Sequence, residues 1–254
     1  MKTLGVAQQK GGVGKTACIV HLAHDAVARG KKVAVIDLDT QGNATDTLEE
    51  FSSGLTTSNL FLPLTAAQQA LTAIPNGEPV ITLIAADPGL ADLEDLDLGD
   101  AGENFRDALS VLAEQGYDLC LIDTPPSLGK ALTIALYVAD FFISPIQLKR
   151  YSLSGINKMN TAVGAIRQFN PDLQFLGMVP SMLERRKQRQ LDNLAQLNED
   201  FPGYVLPEIG LRDSIDEALE LGRPVWEIKK TAARVAAKEM RAFTQCVFEK
   251  MGVV

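Results

Sequence analysis

The chain predicts an α/β fold in which helices cover both faces of a doubly wound, mostly parallel sheet. Short β-branched runs, several ending in a carboxylate, recur along the sequence and alternate with segments whose apolar residues fall at helical spacing. Near the start, a glycine-rich loop, Lys10-Gly11-Gly12-Val13-Gly14-Lys15-Thr16, lies between one such run and one such segment. With 254 residues, 46% of them hydrophobic, the chain fits one large α/β domain over its whole length with a core on each side of the sheet.

The elements follow in order. Residues 4–7 form a short buried strand, and residues 16–28 carry the apolar spacing of a helix. Strand, loop and helix together are the context that a phosphate-binding loop requires. Gly11, Gly12 and Gly14 let the backbone around Val13 curl so that several N–H groups face one anion at the helix N-terminus. Lys15 can then reach the terminal phosphates, and the Thr16 hydroxyl can hold Mg2+. Binding of a nucleoside triphosphate follows.

Residues 32–38 read as a buried parallel strand whose carboxylate-bearing C-terminal end faces the ligand. Similar runs predict strands over residues 80–85, 117–123, 141–145, 175–179 and 204–209. Leu153, Ile156, Met159, Val163 and Ile166 predict a helix. Residues 49–77 are the least patterned stretch and read as surface helices and loops over the nucleotide edge. Nothing resembling a linker or an internal repeat divides the chain.

Composition narrows the function. Cys18, Cys120 and Cys246 lack metal-type spacing and fall within apolar patterns, so they read as buried free thiols of a reducing cytosol. No charged and apolar leader opens the sequence, and no apolar run approaches bilayer length, so a cytoplasmic protein is expected. A net charge of -8 argues against a surface that is basic all over, which leaves a local patch for any nucleic-acid contact.

The glycine-rich loop departs from the general pattern, because Gln9 stands at the first glycine position and Lys10 follows it. A lysine there is unnecessary for one subunit to bind its own nucleotide. The string K-G-G-V-G-K-T resembles the deviant Walker A loop of the ParA/MinD group of P-loop ATPases. The resemblance implies that Lys10 contacts the phosphates held by a second subunit, so that ATP and Mg2+ are enclosed in a homodimer, with Lys10, Lys15 and Asp39 as the catalytic set.

Two further motifs stand in the family's order. In Val35-Ile36-Asp37-Leu38-Asp39-Thr40-Gln41-Gly42-Asn43, the resemblance makes Asp39 the residue that orients the attacking water and puts Asp37 nearer the metal. This suits phosphoryl transfer, which needs an in-line water and charge neutralisation more than a covalent catalyst. Alternatively, Asp37 does no more than cap the strand end. Leu119-Cys120-Leu121-Ile122-Asp123-Thr124-Pro125-Pro126-Ser127 resembles the Walker B strand and switch loop, so Asp123 would bind Mg2+ through water and Thr124, Pro125 and Pro126 would sense the γ-phosphate. Two positions depart from the commoner family pattern: Ala17 stands where a second threonine often meets the α-phosphate, and Ser181 where an asparagine often lies near the base. Pro207 is a candidate for packing on the base.

Beyond these motifs, Ala85-Ala86-Asp87, Ser144-Pro145-Ile146, Tyr151-Ser152-Leu153-Ser154-Gly155, Phe175-Leu176-Gly177-Met178-Val179-Pro180 and the stretch from Pro224 to Arg234 resemble the short plasmid partition ATPases of the ParA family, IncC type. That resemblance implies an ATP dimer that binds non-specific double-stranded DNA on the nucleoid and is released when a ParB-type centromere-binding protein stimulates hydrolysis. It implies no membrane partner, and the chain is expected to lack the N-terminal helix-turn-helix domain of longer relatives. Arg185, Arg186, Lys187 and Arg189, with Arg212, match the positions that present charge to DNA in that family. A solvated helix face is the other reading of such a cluster.

A MinD-like membrane-associated regulator is the alternative, since Met240, Phe243, Val247 and Met251 form an apolar stripe at helical spacing. Such a stripe more often packs a terminal helix on its own domain. An iron–sulfur carrier needs converging cysteines, and their spacing here does not supply them. An amide ligase of the dethiobiotin synthetase kind shares the fold, but the resemblance past the loop favours partition.

Overall fold

The computed structural model describes residues 1–65, 69, 71, 80–148, 164 and 166–253. Seven strands, β1 (Lys2–Val6), β2 (Val33–Asp37), β3 (Ser52–Thr56), β4 (Ile81–Ala85), β5 (Leu119–Asp123), β6 (Phe141–Gln147) and β7 (Gln174–Ser181), form one sheet in the order β3-β4-β2-β5-β1-β6-β7. Every pairing is parallel, as the carboxylate-ended apolar runs predict.

The pleat divides the core. Val33 and Val35 of β2, with Leu119 and Leu121 of β5, join α1 (Lys15–Ala28), α6 (Asp213–Glu220) and α7 (Ala233–Met251) on one face. Ala34 and Ile36, with Cys120 and Ile122, join α3 (Leu98–Glu114) and α4 (Lys130–Val138) on the other. Two further helices, α2 (Asn43–Thr47) and α5 (Gln188–Asp200), flank the strand ends. The Met240, Phe243, Val247 and Met251 stripe of α7 is buried in the first core, so it is spent on packing.

Two expectations about the strands change. Residues 204–209 do not form a regular strand; they run parallel to β7 through isolated bridges at Val205 and Gly210. Met178 N donates to Tyr204 O, Leu206 N to Met178 O and Ile209 N to Pro180 O, but Pro207 between them has no N–H to give, which breaks the ladder. β3 is the other correction, a short edge strand within the stretch read as helices and loops. Its Ser-Ser-Gly-Leu-Thr sequence carries one buried apolar residue, Leu55, too little for a period-2 signal. The helix expected from Leu153 to Val163, and the Tyr151 to Gly155 segment, lie outside the described residues. Cys18 and Cys120 are buried as expected, whereas Cys246 is only half-buried.

β1 lies between β5 and β6, with β2 on one side and β7 on the other. The chain therefore changes direction across the sheet at β1, and the glycine-rich loop leaves its C-terminal end at that crevice, where ligands bind in open α/β sheets.

Candidate nucleotide site

The loop owes its shape to two glycines. Gly12 and Gly14 take φ of 64° and 87°, the left-handed region in which a side chain is strained, and Gly14 caps α1. The loop wraps the N-terminus of α1, whose free N–H groups and dipole favour an anion. A cavity of about 600 Å³ opens there, lined by Gly11 through Ala17. Lys15 lines this cavity and is 8% exposed, so its charge is held at the cavity wall.

Asp39 also lines this cavity, with its Oδ1 accepting from Gln41 N at 3.0 Å. Asp37 does not line it. Its Oδ1 accepts from Asp39 N at 3.0 Å and its Oδ2 from Thr45 N at 2.8 Å and Thr45 Oγ1 at 2.9 Å. The fully buried Asp37 thus ties the end of β2 to α2 and fixes the turn that carries Asp39, while standing beside Asp123 in the sheet register. Burial raises its pKa, opposed by the hydrogen bonds from Thr45 and Asp39.

Asp123 stands across from Val6 and Asp37 in the sheet register. Its Oδ2 accepts from Thr16 Oγ1 at 2.7 Å, while its buried Oδ1 has no hydrogen-bond partner. Burial first, then the negative charge of Asp37, push this carboxyl up to about 7. A buried, orphaned carboxylate oxygen beside a hydroxyl at a phosphate-binding helix end fits Mg2+, an ion that takes one or two protein groups and completes its shell with waters and phosphates. Among the described residues no group of three His, Cys, Asp or Glu side chains forms an all-protein metal site.

Thr124 is buried and donates to Val6 O at 2.8 Å, so it anchors the switch loop to β1; of the three switch residues, only Pro126 lines the cavity. Ser181 lines the cavity but donates to Val13 O at 2.6 Å, bracing the loop. Pro207 is not among the lining residues, and Ile209, Gly210 and Leu211 form that wall instead. Lys10 is exposed and outside the cavity. Its Nζ donates to Gln147 Oε1 at 2.9 Å, and Gln147 Nε2 donates to Gly12 O at 2.8 Å. Sequence reasoning missed Gln147 and Thr45; the one available signal for Gln147 was its place at the C-terminal end of a parallel strand.

The basic residues occupy two settings. Arg185, Arg186 and Lys187 sit in the exposed loop after β7, with exposed Arg189 in the first turn of α5. Arg212 instead lines the nucleotide cavity, where Glu239 of α7 holds its guanidinium at 2.6 Å and raises its pKa.

The AAA domain family matches residues 1–175. Over its full length the chain is 50% identical to the protein IncC of Escherichia coli, covering 71% of that protein. The chain belongs to the IncC/ParA family of partition ATPases. The chromosome-partitioning ATPase Soj of Thermus thermophilus is 32% identical, with 96% of this chain and 97% of Soj covered. A solved structure of cobyrinic acid a,c-diamide synthase from Mycobacterium smegmatis, with bound ADP and magnesium, superposes with a TM-score of 0.78 over 99% of this chain and 96% of that one. At 24% identity this likeness shows the shared fold. For an IncC/ParA family member, the deviant loop, the Asp39 turn and the Asp123 strand end are the elements that the family resemblance singled out. The fold brings all three to one crevice.

Proposed function

We propose that this protein is an ATP-dependent DNA partition ATPase that dimerises on ATP, binds non-specific double-stranded DNA, and leaves it when a ParB-type partner stimulates hydrolysis. One observation carries the reading: a single cavity is lined by the P-loop, by Asp39 and by Thr16, which is bonded to the buried, half-satisfied Asp123. Family membership and the ADP- and magnesium-bound structure of the amide synthase support ATP and Mg2+ as the ligands.

The reading gives each residue a role. Backbone N–H groups of residues 11–16 and the Lys15 ammonium neutralise the phosphates at a helix N-terminus. Thr16 and Asp123 would hold the ion, which would supply positive charge to offset that of the phosphates. Asp39, fixed by Asp37 and Gln41 N, orients the attacking water and accepts its proton. Lys10 lies outside its own cavity, which leaves it for the phosphates of a second subunit. Arg185, Arg186, Lys187, Arg189 and Arg212 supply the DNA contacts, and these contacts go to phosphates and carry little sequence preference.

Fluorescence anisotropy with two unrelated duplexes, across a salt series and with ATP, ADP or no nucleotide, tests the reading. ATP-dependent binding to both, weakening steeply with salt and reduced in Arg185→Ala/Arg186→Ala, whose side chains lie outside the nucleotide cavity, without loss of the ATP dimer, is expected. Protein that ignores both duplexes with ATP and Mg2+ yet sediments with anionic liposomes would overturn it in favour of the membrane-associated alternative.

A further inference from the structure

The basic loop that follows β7 is not an open patch of positive charge. Arg185 is ion-paired with Glu208. Lys187 Nζ lies 2.8 Å and Arg186 Nη2 3.9 Å from the carboxylate of Glu184. Arg212 Nη2 lies 2.6 Å from Glu239, whose other oxygen also accepts from Gly210 N at 3.0 Å. Four of the five residues assigned to DNA contact thus already face a carboxylate.

The cations and the anions differ in their freedom. The side chains of Arg185, Arg186 and Lys187 are 58%, 88% and 53% exposed, and all three sit in a loop. Glu208 lies in the segment pinned along β7 by the flanking bonds from Leu206 N to Met178 O and from Ile209 N to Pro180 O. Glu239 is carried by the long helix α7. Glu208 and Glu239 are therefore held by fixed backbone, and the long cationic side chains come to them.

We infer that Glu184, Glu208 and Glu239 are affinity-setting residues of the DNA face, competing with backbone phosphates for its arginines and lysine. The inference rests on the DNA-binding reading above. An arginine that takes a phosphate must first leave its carboxylate, so binding becomes an exchange of one anion for another. The freed carboxylate then faces the duplex, repels it, and keeps counterions that simple neutralisation would release. Affinity and salt dependence are both held below what the number of basic residues implies.

Glu208→Gln tests this, because it removes the charge while keeping the side chain's size. Glu114→Gln, an exposed position on α3 across the sheet, makes the same change in net charge and is the control. Each protein is titrated into fluorescent duplex with ATP and Mg2+ over a salt series. Relative to both wild type and control, Glu208→Gln is expected to bind about two- to five-fold more tightly at low salt, the range spanned by an exposed ion pair. Its plot of log K against log salt is expected to be steeper by up to about 0.9, the contribution of one added phosphate contact. DNA binding by all three proteins with equal affinity and slope overturns the inference alone. Binding by none of them overturns the DNA-binding reading, and the inference with it.

Discussion

Lys15 and Lys10 carry the same charge five residues apart and have opposite surroundings, one buried in the cavity wall and the other exposed against Gln147. Their substitutions should therefore separate. Lys15→Ala is expected to weaken binding of a fluorescent ATP analogue by roughly one to two orders of magnitude, the scale of a charge-assisted bond lost from a desolvated site. Lys10→Ala should leave that binding measurable and remove the ATP-dependent dimer seen by light scattering; a normal dimer would end its role between subunits. The place of Lys15 was legible in the sequence because the loop's spacing puts it at the helix N-terminus, whereas the role of Lys10 is implied by the family resemblance alone. Asp37 was legible only in part. Its type and position suggest a place near the metal, and its bonds to Thr45 and Asp39 N could not be read because they depend on how β2 meets α2.

At the scale of elements, six strands were legible because buried parallel strands read as continuous apolar runs. The edges were not. β3 pairs on one side with β4 and has little apolar signal, while residues 204–211 add to β7 through a ladder that Pro207 interrupts. Gly177 shows how close that addition is. Its φ is 144°, and a Cβ built on it meets Tyr204 O at 2.5 Å. Gly177→Ala should destabilise the protein by about 1–3 kcal/mol in urea unfolding. Amide exchange at Leu206 and Ile209 should rise, and unchanged protection there would show that the segment does not need the close approach.

At the scale of the whole molecule, a buried histidine joins the P-loop helix to the C-terminal region. His21 Nδ1 lies 2.7 Å from Ala17 O, and its Nε2 accepts from Val225 N at 3.0 Å, which fixes the neutral tautomer with the proton on Nδ1. Burial lowers its pKa to about 4. The unfolded chain then takes up this proton near pH 6.5 and the folded protein only near pH 4, so the neutral site's stability is complete above 6.5 and is lost as pH falls toward 4. The loss amounts to about 3 kcal/mol. Asp123 and Asp37, raised by burial, act in the opposite sense over the same range, so the test is a difference. In denaturant unfolding, wild type is expected to lose stability relative to His21→Gln between pH 6.5 and 4, and a difference that does not vary with pH would contradict the assignment. None of this was legible in the sequence, where His21 is one polar residue within an apolar helix and its partner lies 204 positions away.

If the crevice hydrolyses ATP, Asp39 is the residue that positions the water. Phosphate release in a single turnover, measured for wild type and Asp39→Ala with DNA and the ParB-type partner present, tests it most directly. Asp39→Ala is expected to bind ATP nearly normally, to release phosphate about 100-fold or more slowly, and to stay on DNA as a dimer. Release by Asp39→Ala at the wild-type rate would contradict it.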